Sequence, residues 1–282
     1  DKQETTFVTE DEVTPIEENR LTGLNIAYLG SSVMEGTGND GVSFVEFIAK
    51  RNNGTYVKDT KADSTMADTG EDSYVQRVQK MDKEAKIDAF ICEIPFADVD
   101  KNVPIGEIKD AATLDDLEAL EDFDTTTTAG AMEYISNYAK QTWNCPVMFY
   151  TNVKTDNEDY QKLVELGWKM RTKWKTGMLD AWYQLSTDTD SFDEYMADET
   201  HPSGKGYLEW ITPFIESKIP GIIHDYDISL INARPEYALN AVATNEPNIL
   251  TSKHIIYLGS SVTYGASSDQ LSFVEYIAKR ND

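Results

Sequence analysis

Residues 26–53 read IAYLGSSVMEGTGNDGVSFVEFIAKRNN, and residues 255–282 read IIYLGSSVTYGASSDQLSFVEYIAKRND. The two stretches align without gaps and are identical at 18 of 28 positions, far beyond chance. A repeat at this level governs the reading of the whole chain. Each copy opens on a short apolar run, residues 26–29 and 255–258. Such a run predicts a strand buried on both faces. A Gly-Ser-Ser turn follows, and then a helix. In the first copy its apolar residues Phe44, Val45, Phe47 and Ile48 fall at helical spacing.

Outward from the first copy, strand and helix signals alternate. Helices are expected over 73–81, 129–141, 159–172 and 205–219, the last interrupted at Pro213. Strands are expected over 87–94, 146–151 and 177–182. Thr125 to Thr128 supply a cap for the second of these helices. Alternation of this kind implies an α/β fold, a parallel sheet with helices on both faces. Residues 1–23 are polar and acidic without periodicity, and read as an N-terminal arm. The acidic stretch 110–124 carries Leu114, Leu117 and Leu120. It reads as a short surface helix or lid, or as a solvated insertion. Residues 24–218 make one domain and 219–252 a connector. Residues 253–282 are the opening strand and helix of a second, incomplete unit.

The chain has 282 residues, with 50 acidic and 25 basic side chains and a formal charge of −25. Such a polyanion is repelled by nucleic-acid phosphates and by anionic membrane surfaces. No apolar run reaches the ~18 residues of a membrane span. Hydrophobic residues at 40% supply a core and argue against disorder. Cys92 and Cys145 lie in apolar runs and read as small buried hydrophobes. No CxxC or HExxH spacing supports a metal site, and no cofactor is implied. Trp168, Trp174, Trp182 and Trp210 allow a carbohydrate-binding reading, although their places in or beside helices and a strand suit burial better.

A serine at the carboxyl end of the first strand is placed for nucleophilic chemistry, because open α/β sheets keep their sites there. It needs a base. The chain offers Asp198-Glu199-Thr200-His201-Pro202, in which an aspartate three residues before a histidine can orient the imidazole.

At this point the sequence resembles the SGNH/GDSL hydrolase family over roughly residues 24–218. The opening block is Gly30-Ser31-Ser32-Val33-Met34-Glu35-Gly36, and the closing block is Asp198 with His201. The resemblance implies a flavodoxin-like three-layer α/β/α sandwich and serine esterase or acylhydrolase activity through an acyl-enzyme. The substrate would be an acyl group on a sugar, lipid or small alcohol. The implied triad is Ser32, His201 and Asp198, with Ser261 as a duplicate nucleophile. The implied oxyanion hole is Ser32 with positions 63 and 97. The family carries Gly and Asn at those two, where this chain has Asp63 and Ala97. Loss of one such donor lowers a rate about 10²–10³-fold. A catalytically impaired binding or spacing module is therefore the alternative to a working esterase.

The second copy also admits two expectations. It begins a tandem domain, or residues 253–282 exchange between molecules and give a homo-oligomer with Ser261 beside His201. The expected partner is a small-molecule ester or acylated glycan, and the expected location is secreted or cell-surface, with cytoplasmic members also known in the family.

Overall fold

The computed structural model describes residues 7–108, 119–232, 238–265 and 271–281. The chain divides into two compact units, residues 1–220 and 221–282.

The first unit is built on five parallel strands: β1 (Asn25–Gly30), β2 (Thr55–Thr60), β3 (Ala89–Glu93), β4 (Val147–Thr151) and β5 (Gly177–Asp180). Their order is β2-β1-β3-β4-β5. Chain direction across the sheet reverses between β1 and β3, and such a switch point opens a crevice at the strands' carboxyl ends. The apolar run 26–29 is central because β1 pairs with both β2 and β3. β3 and β4 are buried throughout. β2 lies outside every expected strand. Its sequence TYVKDT is half-buried or exposed along its length. An edge strand has only one neighbour and lacks the apolar run that betrays a central one.

Helices α1 (Ser32–Glu35), α2 (Phe44–Arg51), α3 (Tyr74–Val78), α4 (Ala97–Asp100), α5 (Thr128–Trp143) and α6 (Glu158–Trp174) connect the strands. Then follow α7 (Ala181–Gln184), α8 (Phe192–Tyr195) and α9 (Thr212–Asn232). The Ser43 hydroxyl caps α2 and Glu46 returns a bond to the Ser43 amide, which starts the helix sharply. Thr127 caps α5, within the threonine run expected to do so.

Several expected boundaries need correction. Residues 181 and 182 are helical, not strand, because Asp180 accepts from the Tyr183 amide and caps α7. The closing helix does not stop at 219. A π-helical turn (Gly206–Ile211) leads into α9, which continues through Pro220 to Asn232 and takes up the start of the expected connector. Within residues 1–23, the described part 7–23 is no free arm. Val13 and Leu21 are buried. Val8 exchanges backbone–side-chain bonds of 2.7 and 2.8 Å with Asn39, and the Ile16 amide donates to the Arg51 carbonyl at 2.8 Å. Most of the stretch 110–124 lies outside the described residues. Leu120–Asp122 is a 3₁₀ turn.

The second unit contains α10 (Ser261–Tyr264) and α11 (Phe273–Asn281). Asn248 donates to the Asn281 side chain at 2.7 Å and the Asn245 amide donates to the Arg280 carbonyl at 2.6 Å. The expected strand over 255–258 is absent among the described residues. Ile256 is 96% and Leu258 100% exposed, whereas their counterparts Ala27 and Leu29 are at 0%. A strand needs neighbours to take its backbone bonds, and none in this unit flanks 255–258 as β2 and β3 flank β1.

Both cysteines are free and buried. Burial pushes the Cys92 thiol well above its ordinary value and the Cys145 thiol up to about 12, which suits inert packing groups. No described helix is long and apolar enough to cross a membrane. Between α5 and α6, Lys173 Nζ lies 2.7 Å from Glu133 Oε1, with both side chains over nine-tenths buried. Removing one partner of such a pair strands a buried charge. Lys173→Met is expected to lower the unfolding free energy by about 3–5 kcal/mol, measured by urea denaturation; a loss below ~1 kcal/mol would contradict the buried-pair account.

Candidate active site

β1 ends at Gly30, Ser31 is extended, and Ser32 opens the short helix α1. A side chain at Gly30 would crowd Met34 and sit 2.9 Å from Glu93 Oε2, so the tight turn requires glycine. Glu93, the last residue of β3, lies directly beneath. Its Oε2 accepts from the Ser31 amide at 2.8 Å and the Met34 amide at 3.0 Å. Its Oε1 accepts from Asn152 Nδ2 at 3.3 Å. From the other side the Tyr207 hydroxyl donates to the Val33 carbonyl at 2.6 Å. Arg77 joins the neighbouring loop to this turn, donating to the Gly30 carbonyl at 2.7 Å and to Ser64 Oγ at 3.1 Å.

The base arrives from residue 201. The loop is pinched by a bridge between Met196 and Pro202. Asp198 Oδ1 accepts from the amides of Thr200 (2.9 Å) and His201 (2.8 Å). Its Oδ2 lies 2.7 Å from His201 Nδ1. His201 Nε2 lies 2.9 Å from Ser32 Oγ, across 169 residues of sequence. Desolvation alone would raise the Asp198 carboxyl; the Thr200 amide and the His201 ring and amide outweigh it and hold the group below its ordinary value. A carboxylate that stays ionised orients the imidazole and favours its protonated form. Gly38 makes the approach of this loop feasible, since a side chain there would overlap the Pro202 carbonyl.

At the place implied for the oxyanion, Asp63 has φ 59°, the left-handed conformation that a glycine adopts most freely. Among the described residues the amides of Ser32 and Asp63 have no hydrogen-bond acceptor. Ala97 is buried at the start of α4 and offers no side-chain donor. The adjacent Asp98 accepts from Thr128 Oγ1 at 2.7 Å and from the Met66 amide at 2.6 Å, anchoring the loop after β2 to α4 and α5. Lys101 Nζ donates to the Asp63 carbonyl at 2.5 Å and lies 3.0 Å from its Oδ2. A polar cavity of about 310 Å³ opens beside this pair, lined by Lys61, Asp63, Thr69, Asp72 and Lys101 among others.

Ser32, His201 and Asp198 are thus brought together. Ser261 begins α10 in the second unit. The tryptophans do not form a common face. Trp182 is buried, Trp168 donates to Asp180 at 2.8 Å, Trp174 donates to Glu133 at 2.9 Å and Trp210 stacks on Tyr195. Sequence reasoning missed Glu93, Arg77 and Lys101. A lone acid inside the apolar run 89–94 was a usable signal for the first; nothing in spacing points to the others.

No family model and no curated protein matches this sequence. Solved structures do match. A Desulfitobacterium hafniense protein assigned to the G-D-S-L family of lipolytic proteins is 14% identical with a TM-score of 0.53, covering 69% of this chain and 99% of that one. The psychrotrophic esterase EstA from Pseudoalteromonas sp. is 11% identical with a TM-score of 0.51, covering 71% and 98%. A Bacteroides ovatus protein assigned as a GDSL-like lipase is 18% identical with a TM-score of 0.50, covering 71% and 99%. The fold is that of the GDSL-type hydrolases. At these identities the likeness is one of fold, and the 69–71% coverage leaves a substantial part of this chain outside the match.

Two outcomes follow from the geometry around this turn. Gly38→Ala should displace the His201 loop and weaken the Ser32–His201 bond, seen as a shifted His201 resonance; an unchanged resonance would refute the close-approach argument. Burial raises the Glu93 carboxyl, against the pull of the Ser31 and Met34 amides. Its stabilising contribution is therefore full at acid pH and lost as pH rises through the raised value. The melting temperature of the wild type should fall relative to Glu93→Gln between acid and neutral pH, and a pH-independent gap would contradict this.

Proposed function

We propose that the first unit is a serine esterase that cleaves an acyl ester of a sugar, lipid or small alcohol through an acyl-enzyme. The observation that carries this reading is the hydrogen-bonded chain from Ser32 Oγ through His201 to Asp198. His201 takes the hydroxyl proton as Ser32 attacks the ester carbonyl, then returns it to the leaving alcohol. Water repeats the sequence to release the acid. In this reading the amides of Ser32 and Asp63, which have no acceptor among the described residues, donate to the developing oxyanion, and the position of Ala97 contributes no third donor. EstA, one of the structural neighbours, is an esterase inhibited by monoethylphosphonate, which agrees with this chemistry.

Ser32, not Ser261, is the nucleophile in this reading. Exchange of residues 253–282 into the seat of the first copy is opposed at two positions. Ser267 would replace Gly38 against the Pro202 carbonyl, and Gln270 would replace Gly41, whose φ is +82°.

A second reading, an impaired esterase retained as a binding or spacing module, is favoured by Ala97. Hydrolysis of p-nitrophenyl acetate and acetylated sugars separates the two. Under the esterase reading Ser32→Ala lowers kcat by about 10⁴ or more, and Ala97→Asn raises it by about 10²-fold. Wild-type turnover unaffected by Ser32→Ala would rule the reading out. A wild type without turnover, gaining it with Ala97→Asn, would establish the impaired module instead.

A further inference from the structure

We propose that Lys101 is a positioning residue that makes Asp63 compatible with the oxyanion. The inference rests on the esterase reading above for its catalytic consequence. Lys101 directly follows α4 and lies four residues after Ala97, about one helical turn along from the missing donor. Its ammonium reaches both the carbonyl and the carboxylate of Asp63. The two side chains are 42% and 77% exposed. Pairs as open as this contribute little to folding stability, so stability does not account for its place.

The local chemistry gives another account. Asp63 holds a left-handed backbone, and its amide has no acceptor among the described residues; the esterase reading assigns that amide to the oxyanion hole. Its carboxylate is carried on the same residue, and a second negative charge developing nearby is repelled by it. Lys101 cancels that charge. By holding the Asp63 carbonyl it also fixes the peptide that follows Asp63, and so restrains the left-handed backbone from which the Asp63 amide projects. The other charges around the cavity do not supply this. Lys61 is paired with Asp72 at 2.7 Å, and Glu71 adds a further negative charge. Lys101 therefore offsets the charge that Asp63 brings, while the donor that Ala97 lacks stays missing.

A double-mutant cycle on ester hydrolysis tests the proposal. Lys101→Met should lower kcat about 10-fold with KM nearly unchanged, since the repelled charge exists only in the transition state. Lys101→Arg should restore most of the loss. In the Asp63→Asn background, where asparagine still accepts a left-handed backbone, the same Lys101→Met change should cost less than about 2-fold. Equal losses in both backgrounds, or no loss with Asp63 present, would overturn the proposal while leaving the esterase reading intact. A wild type with no Ser32-dependent turnover defeats the esterase reading alone. The pairing is then read from backbone amide spectra. Lys101→Met must move the Asp63 and Ser64 resonances, and unmoved resonances would overturn it.

Discussion

The buried Glu93 carboxylate is the constraint on which the site depends. A serine at the end of a central parallel strand is useful only if the chain turns sharply enough to present its hydroxyl. The turn leaves amides without helical partners. Glu93 takes two of them, from Ser31 and Met34, at the cost of keeping an acid in the sheet. Asn152, directly after β4, then completes the support. The arrangement ties the turn that carries the nucleophile to β3 and, through Asn152, to the residue after β4. The 196–202 loop, packed closely against Gly38, brings His201 to Ser32.

Around that support, charge is used sparingly. The chain carries 25 more acids than bases, yet the acids near the site are individually held. Asp198 is ionised by its own loop amides and the His201 ring. Asp98 is satisfied by α5 and the loop after β2. Asp63 is matched by Lys101. The surplus charge governs solubility and excluded partners, whereas under the proposed esterase reading these few pairings set how readily negative charge develops beside Ser32.

The central strands were legible because burial on both faces writes an apolar run, as at 26–29 and 147–151. The triad was legible because Asp198 and His201 fall within one loop. β2 was not, because Thr55–Thr60 alternates polar groups at a sheet edge. The packing of residues 7–23 escaped notice because it rests on Asn39 and on two isolated apolar residues, with no periodic face. The repeat shows the limit most clearly. Nearly the same residues form a buried strand at 26–29 and none at 255–258, because strand formation depends on the neighbours that take the backbone bonds.

The central claim is that Ser32, backed by His201 and Asp198, is a live nucleophile in the first unit. Its most direct measurement is peptide mapping after treatment of the full chain with a fluorophosphonate. The account predicts one adduct per chain, on the peptide containing Ser32. An adduct on the peptide containing Ser261, or no adduct at all, would contradict it.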